Sequence, residues 1–294
     1  MQASAPHTLG DESLLMAFDR RLEEVVRQVS HPAFRALLLE AVEGGKRVRP
    51  LLTCLSCESA GGLARDAFDV AIAVELLHVA SLVHDDIMDG SLVRRGRPTV
   101  ARQHGIPEAV LAGDLLLAIA FRLVQHSSPG RNGEMGRVLT DAFVDLCEGQ
   151  AYDLLPSNGH HDRKRHESIV EQKTARLLEA AGLLGAMCAP CDELAVRALG
   201  AFGYHVGMAY QAQDDLLDHV GNEIEAGKSL RMDARNGRTT YLTVAYTRPD
   251  PVDAIRVEVR LHTEKARRAL EVLPQSDARQ ALGDLALSLI DRRK

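Results

Sequence analysis

Apolar residues recur at three- and four-residue spacing along nearly the whole chain, and almost no segment alternates with the two-residue period of a strand. The first apolar stripe covers 14–29 and ends before Pro32, and Pro50 lies near the start of a third helix. Further helices are predicted over 33–43, 64–88, 107–126, 134–154, 167–188, 192–218, 252–270 and 276–291. This pattern predicts an all-α bundle whose central helices are covered on most sides.

No linker divides the chain. The only polar stretches between predicted helices, 127–133 and 157–166, are short enough to be inter-helix loops. The second stretch is rich in histidine and basic residues, and a solvated loop is preferred there to a metal or anion site. We therefore expect one domain over 1–294, with residues 1–10 as a loose tail.

Composition excludes several classes of protein. The formal net charge is −6, from 35 Lys and Arg against 41 Asp and Glu, which argues against a nucleic-acid partner. No uninterrupted apolar run reaches the ~18 residues of a membrane helix. The N-terminus lacks the basic and then apolar pattern of a signal peptide. We expect a cytoplasmic protein without a transmembrane segment.

The main chemical signal in the sequence is a short acidic motif, Asp-Asp-x-x-Asp. It occurs twice, each time at the end of an apolar predicted helix: Asp85-Asp86-Ile87-Met88-Asp89 and Asp214-Asp215-Leu216-Leu217-Asp218. The outer carboxylates of each motif lie one helical turn apart and point the same way. Such a concentration of like charge is costly unless a divalent ion neutralises it, and an all-oxygen ligand set favours Mg²⁺. The alternative is two solvated helix ends.

Two basic runs supply cations for phosphate. The first follows two glycines and contains Lys46, Arg47 and Arg49; the second contains Arg94 and Arg95 and follows the first acidic motif. Arginine matches phosphate oxygens with two parallel hydrogen bonds. Either run alone is more typical of a solvated surface. Beside two Mg²⁺-type motifs, the runs indicate a pocket for two polyanionic groups.

Taken together, these motifs resemble those of the trans-isoprenyl diphosphate synthases, or polyprenyl synthetases, over about two thirds of the chain, from Gly44 to Thr240. Beyond the acidic motifs, the matching segments in the family's order are Gly44-Gly45-Lys46-Arg47-x-Arg49-Pro50, His78-x-x-Ser81-Leu82-x-His84, Arg94-Arg95-Gly96 with Pro98-Thr99, Gly113-Asp114, Gly149-Gln150-x-x-Asp153, Lys173-Thr174, Gln211 and Gly227-Lys228. The resemblance implies the helical isoprenoid synthase fold with a central active-site cavity. It also implies Mg²⁺-dependent head-to-tail condensation of isopentenyl diphosphate with an allylic prenyl diphosphate.

The resemblance also implies roles for individual residues. Three Mg²⁺ ions would bridge the allylic diphosphate to Asp85, Asp89, Asp153, Asp214 and Asp218, with Asp86 and Asp215 part of the same catalytic set. The cations of the allylic clamp would be Arg94, Lys173 and Lys228, and isopentenyl diphosphate would be held by Lys46, Arg49, His78 and Arg95. Thr174 and Gln211 resemble the family's polar groups beside the allylic cation. The family also implies a homodimer.

The chain departs from the family pattern at several positions. Tyr210 stands where the family often has phenylalanine, and Arg238 where it has a lysine. Ser229 and Arg231 replace a common proline and glycine after Lys228, which puts loop closure in question.

Product length is expected to depend on the residues that precede Asp85 by one or two helical turns. These are Ala80, Ser81 and, one turn deeper, Leu77. In short-product members of the family, bulky aromatic residues block the tunnel here, so small residues predict geranylgeranyl diphosphate (C20) or a longer product.

Three alternatives remain open from the sequence. A class I terpene cyclase would share the scaffold, but it has no second diphosphate for Lys46 and Arg49 to bind. Transfer of the prenyl group to a non-isoprenoid acceptor is a second alternative. A non-catalytic partner subunit of another synthase is the third, although both acidic motifs are intact.

Overall fold

The structure, a computed structural model, describes residues 12–127, 131–154, 163–220 and 250–288, with side chains left out at 12 and 218–220. The tail 1–10, Lys228, Ser229, Arg231 and Arg238 lie outside the described residues.

The helices are α1 Glu12–Arg27, α2 Pro32–Val42, α3 Val48–Ser59, α4 Phe68–Met88, α5 Val100–His104, α6 Ile106–Ser127, α7 Asn132–Leu154, α8 Arg163–Val170, α9 Arg176–Met187, α10 Glu193–Val220, α11 Pro251–Ala269 and α12 Asp277–Ser288. Short 3₁₀ turns cover Ala64–Ala67 and Leu270–Val272. The all-α prediction is confirmed.

Helix α4 runs through the centre of the bundle. It is apolar on nearly all sides, and its residues from Val70 to Leu77 are almost completely buried. Together with the preceding 3₁₀ turn it is long and apolar enough to cross a membrane, but 72% of its most apolar window is buried inside the protein. Its neighbours α3, α6 and α9 cover it. The apolar sequence of 64–88 therefore reflects a core helix that carries the first acidic motif to the end of the bundle.

The structure departs from the predicted helices in two places, both close to residues that the sequence motifs single out. The predicted helix 167–188 is divided by a turn of π-helix, Glu171–Ala175, between α8 and α9. A short hairpin, β1 Val93–Arg94 paired with β2 Arg97–Pro98, follows the first acidic motif. The two residues at its turn, Arg95 and Gly96, both have positive φ, at 51° and 74°. This is the turn geometry whose twist matches an antiparallel pair.

Candidate active site

The first acidic motif occupies the last turn of α4. Asp85 and Asp89 are half-buried, whereas the Asp86 side chain is 6% exposed. The guanidinium of Arg94 donates to Asp86, with its Nε 2.9 Å from each carboxylate oxygen. The motif therefore has two faces: Asp85 and Asp89 reach towards solvent, and Asp86 fastens the hairpin to α4.

The π-helical turn joins the two sides of the site. Lys173 Nζ lies 2.9 Å from Asp153 Oδ2 on α7, and Thr174 Oγ1 donates to Gln211 Oε1 on α10 at 3.2 Å. Gly149 allows α7 to approach closely, because a Cβ there would lie 2.7 Å from the backbone nitrogen of Lys173. A π-helical turn inside a helix is often found at functional sites. Here it places two adjacent side chains against two different helices.

The second acidic motif lies on α10, one turn after Gln211. Asp214 is half-buried, whereas Asp215 is buried and its Oδ1 accepts a hydrogen bond from Gln211 Nε2 at 2.8 Å. The backbone of Asp218 lies in the same helix, but its side chain is outside the described part of the chain. As in the first motif, the second aspartate is buried and the first is partly exposed.

A cationic pocket of about 350 Å³ opens next to these helices. Its lining includes Lys46, Arg49, His78 and Arg95, the four residues that sequence analysis assigned to one diphosphate. Tyr210, the neighbour of Gln211, also lines it, so the pocket adjoins the Thr174–Gln211 pair.

The charges in this pocket are crowded. Burial lowers the pKa of Arg49 and of Arg95 from the usual arginine value, while the nearby Glu75 acts in the opposite direction. Burial, and then the surrounding arginines, hold the pKa of His78 well below its ordinary value, so this imidazole is neutral at pH 7. An anion in the pocket would relieve the repulsion between Arg49 and Arg95.

Arg47 differs from the other cations of its run. Sequence analysis grouped it with Lys46 and Arg49 as a phosphate-binding cation, but the structure buries it. Its guanidinium donates to Glu75 at 2.8 Å, to Asp19 at 2.9 Å and to the carbonyl oxygen of Val42. Arg47 also lines the cationic pocket, but these three contacts engage all three guanidinium nitrogens with the protein, so its main role is to anchor the start of α3.

The donor set fits a hard cation. The accessible groups of the two motifs, Asp85, Asp89 and Asp214, offer carboxylate oxygens and no sulfur or imidazole ligand. Among the described residues, no three ligating side chains are already grouped into a metal site. Mg²⁺ characteristically takes one or two carboxylates and completes its shell with water and substrate phosphates, so this sparse arrangement suits it.

The residues expected to limit product length are all buried on α4. Leu77 and Ala80 are fully buried, and the Ser81 hydroxyl donates to the His78 carbonyl oxygen at 2.7 Å. Ser81 therefore has its polar group satisfied by its own helix and presents little bulk.

His166 is a residue of interest that sequence analysis missed. Its Nε2 lies 3.6 Å from Asp215 Oδ2, and both side chains are buried. The basic stretch 157–166 favoured a solvated loop, yet residues 163–166 begin α8. The spacing from His166 to Lys173 was the available signal, since it places both on one helical segment two turns apart.

The fold and the site together define a class of protein: all-α bundles in which two acidic helix ends, with carboxylates suited to Mg²⁺, lie beside a cationic pocket. Within this class, the chain belongs to the polyprenyl synthetase family, whose model matches residues 31–273. It is a prenyltransferase of the isoprenyl diphosphate synthase type, and it elongates prenyl chains.

Individual relatives agree with this assignment. The chain is 35% identical over 268 residues to a short chain isoprenyl diphosphate synthase of Methanocaldococcus jannaschii, covering 90% of this chain and 78% of the relative. It is 34% identical to a nonaprenyl diphosphate synthase of Mycobacterium tuberculosis, covering 88% and 78%. The crystal structure of geranylgeranyl pyrophosphate synthetase from Pyrococcus horikoshii matches with a TM-score of 0.86 and 31% identity, covering 96% and 97%. The relatives differ in product, so similarity alone leaves the product length open.

Proposed function

We propose that the two diphosphates bind at the two parts of the site described above. The allylic diphosphate lies against Asp85, Asp89, Asp153, Asp214 and Asp218, with Arg94, Lys173 and Lys228 as cations; Asp218 and Lys228 rest on the sequence alone. Isopentenyl diphosphate lies in the pocket of Lys46, Arg49, His78 and Arg95. The observation that carries this proposal is the separate cationic pocket beside the Thr174–Gln211 pair. An enzyme acting on one diphosphate has no use for it.

The arrangement accounts for the chemistry of chain elongation. Bound Mg²⁺, three ions by resemblance to the family, supplies charge neutralisation for the departing diphosphate. The C1–O bond of the allylic substrate breaks, and its electron pair leaves with the diphosphate. Thr174 and Gln211 present oxygen atoms to the resulting cation. The double bond of isopentenyl diphosphate attacks C1, and a proton leaves C2 of that unit for the released diphosphate.

The product is proposed to be geranylgeranyl diphosphate or a longer polyprenyl diphosphate. The support is the small size of Ala80 and Ser81, which are buried on α4 about one turn before Asp85; side chains of this size would not block a tail longer than C15. The test is incubation of the purified enzyme with Mg²⁺, labelled isopentenyl diphosphate and, separately, dimethylallyl, geranyl or farnesyl diphosphate. Chromatography of a labelled product that stops at C20 or beyond supports the proposal, and a product that stops at C15 contradicts it.

The same incubation separates the alternatives. A terpene cyclase, or transfer to a non-isoprenoid acceptor, would consume the allylic diphosphate without incorporating labelled isopentenyl units. A non-catalytic partner subunit would consume neither substrate. A homologous series of labelled prenyl diphosphates excludes all three.

A homodimer is also proposed, together with a cytoplasmic location. The support for the dimer is the exposure of apolar side chains on α6 and α7: Ile106 at 59%, Leu111 at 54% and Val144 at 49%. Light scattering of the wild type and of Leu111→Glu tests this, because a charge in the interface would shift the mass towards that of one chain. A wild-type monomer contradicts the dimer, and recovery in a membrane fraction contradicts the location.

A further inference from the structure

Four side chains form a polar path that leads from α8 to the Thr174–Gln211 pair. It begins at His166 on α8, whose Nε2 is 3.6 Å from Asp215 Oδ2. The other oxygen of Asp215 accepts from Gln211 Nε2 at 2.8 Å. Gln211 Oε1 in turn accepts from Thr174 Oγ1 at 3.2 Å. His166 and Asp215 are 3% and 7% exposed, so the far end of the path is closed to bulk water.

The orientation of the Gln211 amide depends on this path. A threonine hydroxyl both donates and accepts, so Thr174 alone tolerates either end of the amide. A carboxylate only accepts, so Asp215 requires the amide nitrogen. The carbonyl oxygen of Gln211 is thereby directed to Thr174 and to the region next to the cationic pocket. A flipped amide would present its N–H₂ group there and would oppose a developing positive charge.

We propose that His166 is a positioning residue for prenyl transfer: by holding Asp215 from the side opposite Gln211, it keeps the Gln211 carbonyl directed at the allylic cation. This inference rests on the proposed function and deepens it. The imidazole reaches the reacting atoms only through Asp215 and Gln211. The separation of 3.6 Å is beyond a hydrogen bond, so the ring nitrogen acts on the Asp215 carboxylate as a buried polar neighbour packed against it.

The test compares His166→Phe, which keeps a ring of similar size without ring nitrogens, with His166→Gln, which keeps a donor. His262→Phe is the matched control, since His262 is also partly buried and contacts another histidine, His205, with ring nitrogens 3.1 Å apart. We expect kcat of His166→Phe to fall by about 10-fold or more at nearly unchanged KM for isopentenyl diphosphate, in line with the loss of one aligned dipole. His166→Gln should recover most of the rate, and His262→Phe should keep it.

A binding measurement separates positioning from a structural effect. The probes are an allylic diphosphate analogue with a tertiary ammonium at the reacting carbon and the matching uncharged analogue, both titrated calorimetrically with Mg²⁺. We expect the wild type to prefer the ammonium analogue, and His166→Phe and Asp215→Asn to lose that preference by about 10-fold. An unchanged preference in His166→Phe, whatever Asp215→Asn shows, or a loss of preference in His262→Phe as well, overturns the proposal. If His166→Phe does not fold, the ratio of the affinities for the ammonium and the uncharged analogues is measured in Asp215→Asn and His166→Gln instead, and this ratio tests the proposal. A wild type that makes no labelled product contradicts the proposed function itself.

Discussion

Arg94 donates from its Nε to both carboxylate oxygens of Asp86, at 2.9 Å each, and so fixes the β1–β2 hairpin to the end of α4. The pair joins the two parts of the site, because Arg94 begins the turn that carries Arg95 into the cationic pocket. Asp86 thus links the first acidic motif to the hairpin that carries Arg95.

Asp86→Asn tests this link. The change removes a charge-assisted contact and should lower the free energy of unfolding by about 1–3 kcal/mol. A loosened hairpin should raise KM for isopentenyl diphosphate several-fold, because Arg95 is no longer held in place. The control is Glu43→Gln, which removes the exposed contact of Glu43 with Arg97 on the same hairpin and should change stability and KM little. Equal effects of the two variants would refute the link.

Gly149→Ala tests the close approach of α7 to the π-helical turn. An added Cβ would lie 2.7 Å from the Lys173 backbone nitrogen and 2.9 Å from the Gln172 Cβ, so α7 or the turn must shift. We expect a loss of stability of about 1–3 kcal/mol and a lower kcat, since Lys173 and Thr174 both move. Gly136→Ala on the same helix is the control: its Cβ would meet nothing within 4 Å, and it should stabilise the helix by about 0.5–1 kcal/mol. Thermal unfolding and steady-state rates measure both variants.

Ala80→Phe tests the expected path of the growing chain. If the tail runs along this face of α4, the ring fills part of its space and the product becomes shorter, with the fold retained. Ala71→Phe is the control, because Ala71 is equally buried but nine residues away, on the opposite face of the helix. It should destabilise the protein by about 1–3 kcal/mol without changing product length. Product chromatography that shows the wild-type length for Ala80→Phe would place the tail elsewhere.

Acid should destabilise the contact between α10 and α11 through two histidines. Burial, and then His262 and Lys265, lowers the pKa of His205 to about 4. Burial, and then Lys265, lowers the pKa of His262 to about 4, while Glu167 acts in the opposite direction. An unfolded histidine titrates near pH 6.5, so between about pH 6.5 and 4 the unfolded chain binds more protons than the folded one. Stability must fall as the pH falls through this window.

The measurement is Tm against pH for the wild type and for the double variant His205→Phe/His262→Phe. The wild type should lose several degrees between pH 7 and pH 5, and the double variant should lose less. His126→Gln, a change of an exposed histidine, should follow the wild type. Parallel curves for the wild type and the double variant would show that this pair does not control the acid response.

The sequence was a good guide wherever a feature repeats with a regular period. The predicted helices and the all-α fold follow from apolar spacing, and the pocket residues Lys46, Arg49, His78 and Arg95 follow from the motifs. Features set by tertiary contacts were not predictable in this way. The π-helical turn is hidden because apolar spacing continues through 167–188. The hairpin has only two residues in each strand, which is too short for a period.

The direction in which a side chain points was the second feature that the sequence could not predict. Arg47 and Arg49 are two residues apart, are of one type and both line the pocket. Arg47 nevertheless donates to Glu75 on α4, whereas the buried Arg49 Nε has no hydrogen-bond partner among the described residues. The partner of Arg47 is 28 residues away, so only the folded structure shows which arginine is occupied. His166 is similar, because its significance depends on Asp215 in a different helix.

A double-mutant cycle on Asp85 and Asp214 tests the central claim, that the ends of α4 and α10 act together on one allylic diphosphate. The measurement is Mg²⁺-dependent incorporation of labelled isopentenyl diphosphate by the wild type, Asp85→Ala, Asp214→Ala and the double variant, with circular dichroism to verify folding. Each single change should reduce kcat by roughly 1,000-fold or more, and the double variant should be little worse than either, because residues that work as one unit are not additive. Near-normal turnover in either single variant, or losses that simply multiply, would contradict the shared site.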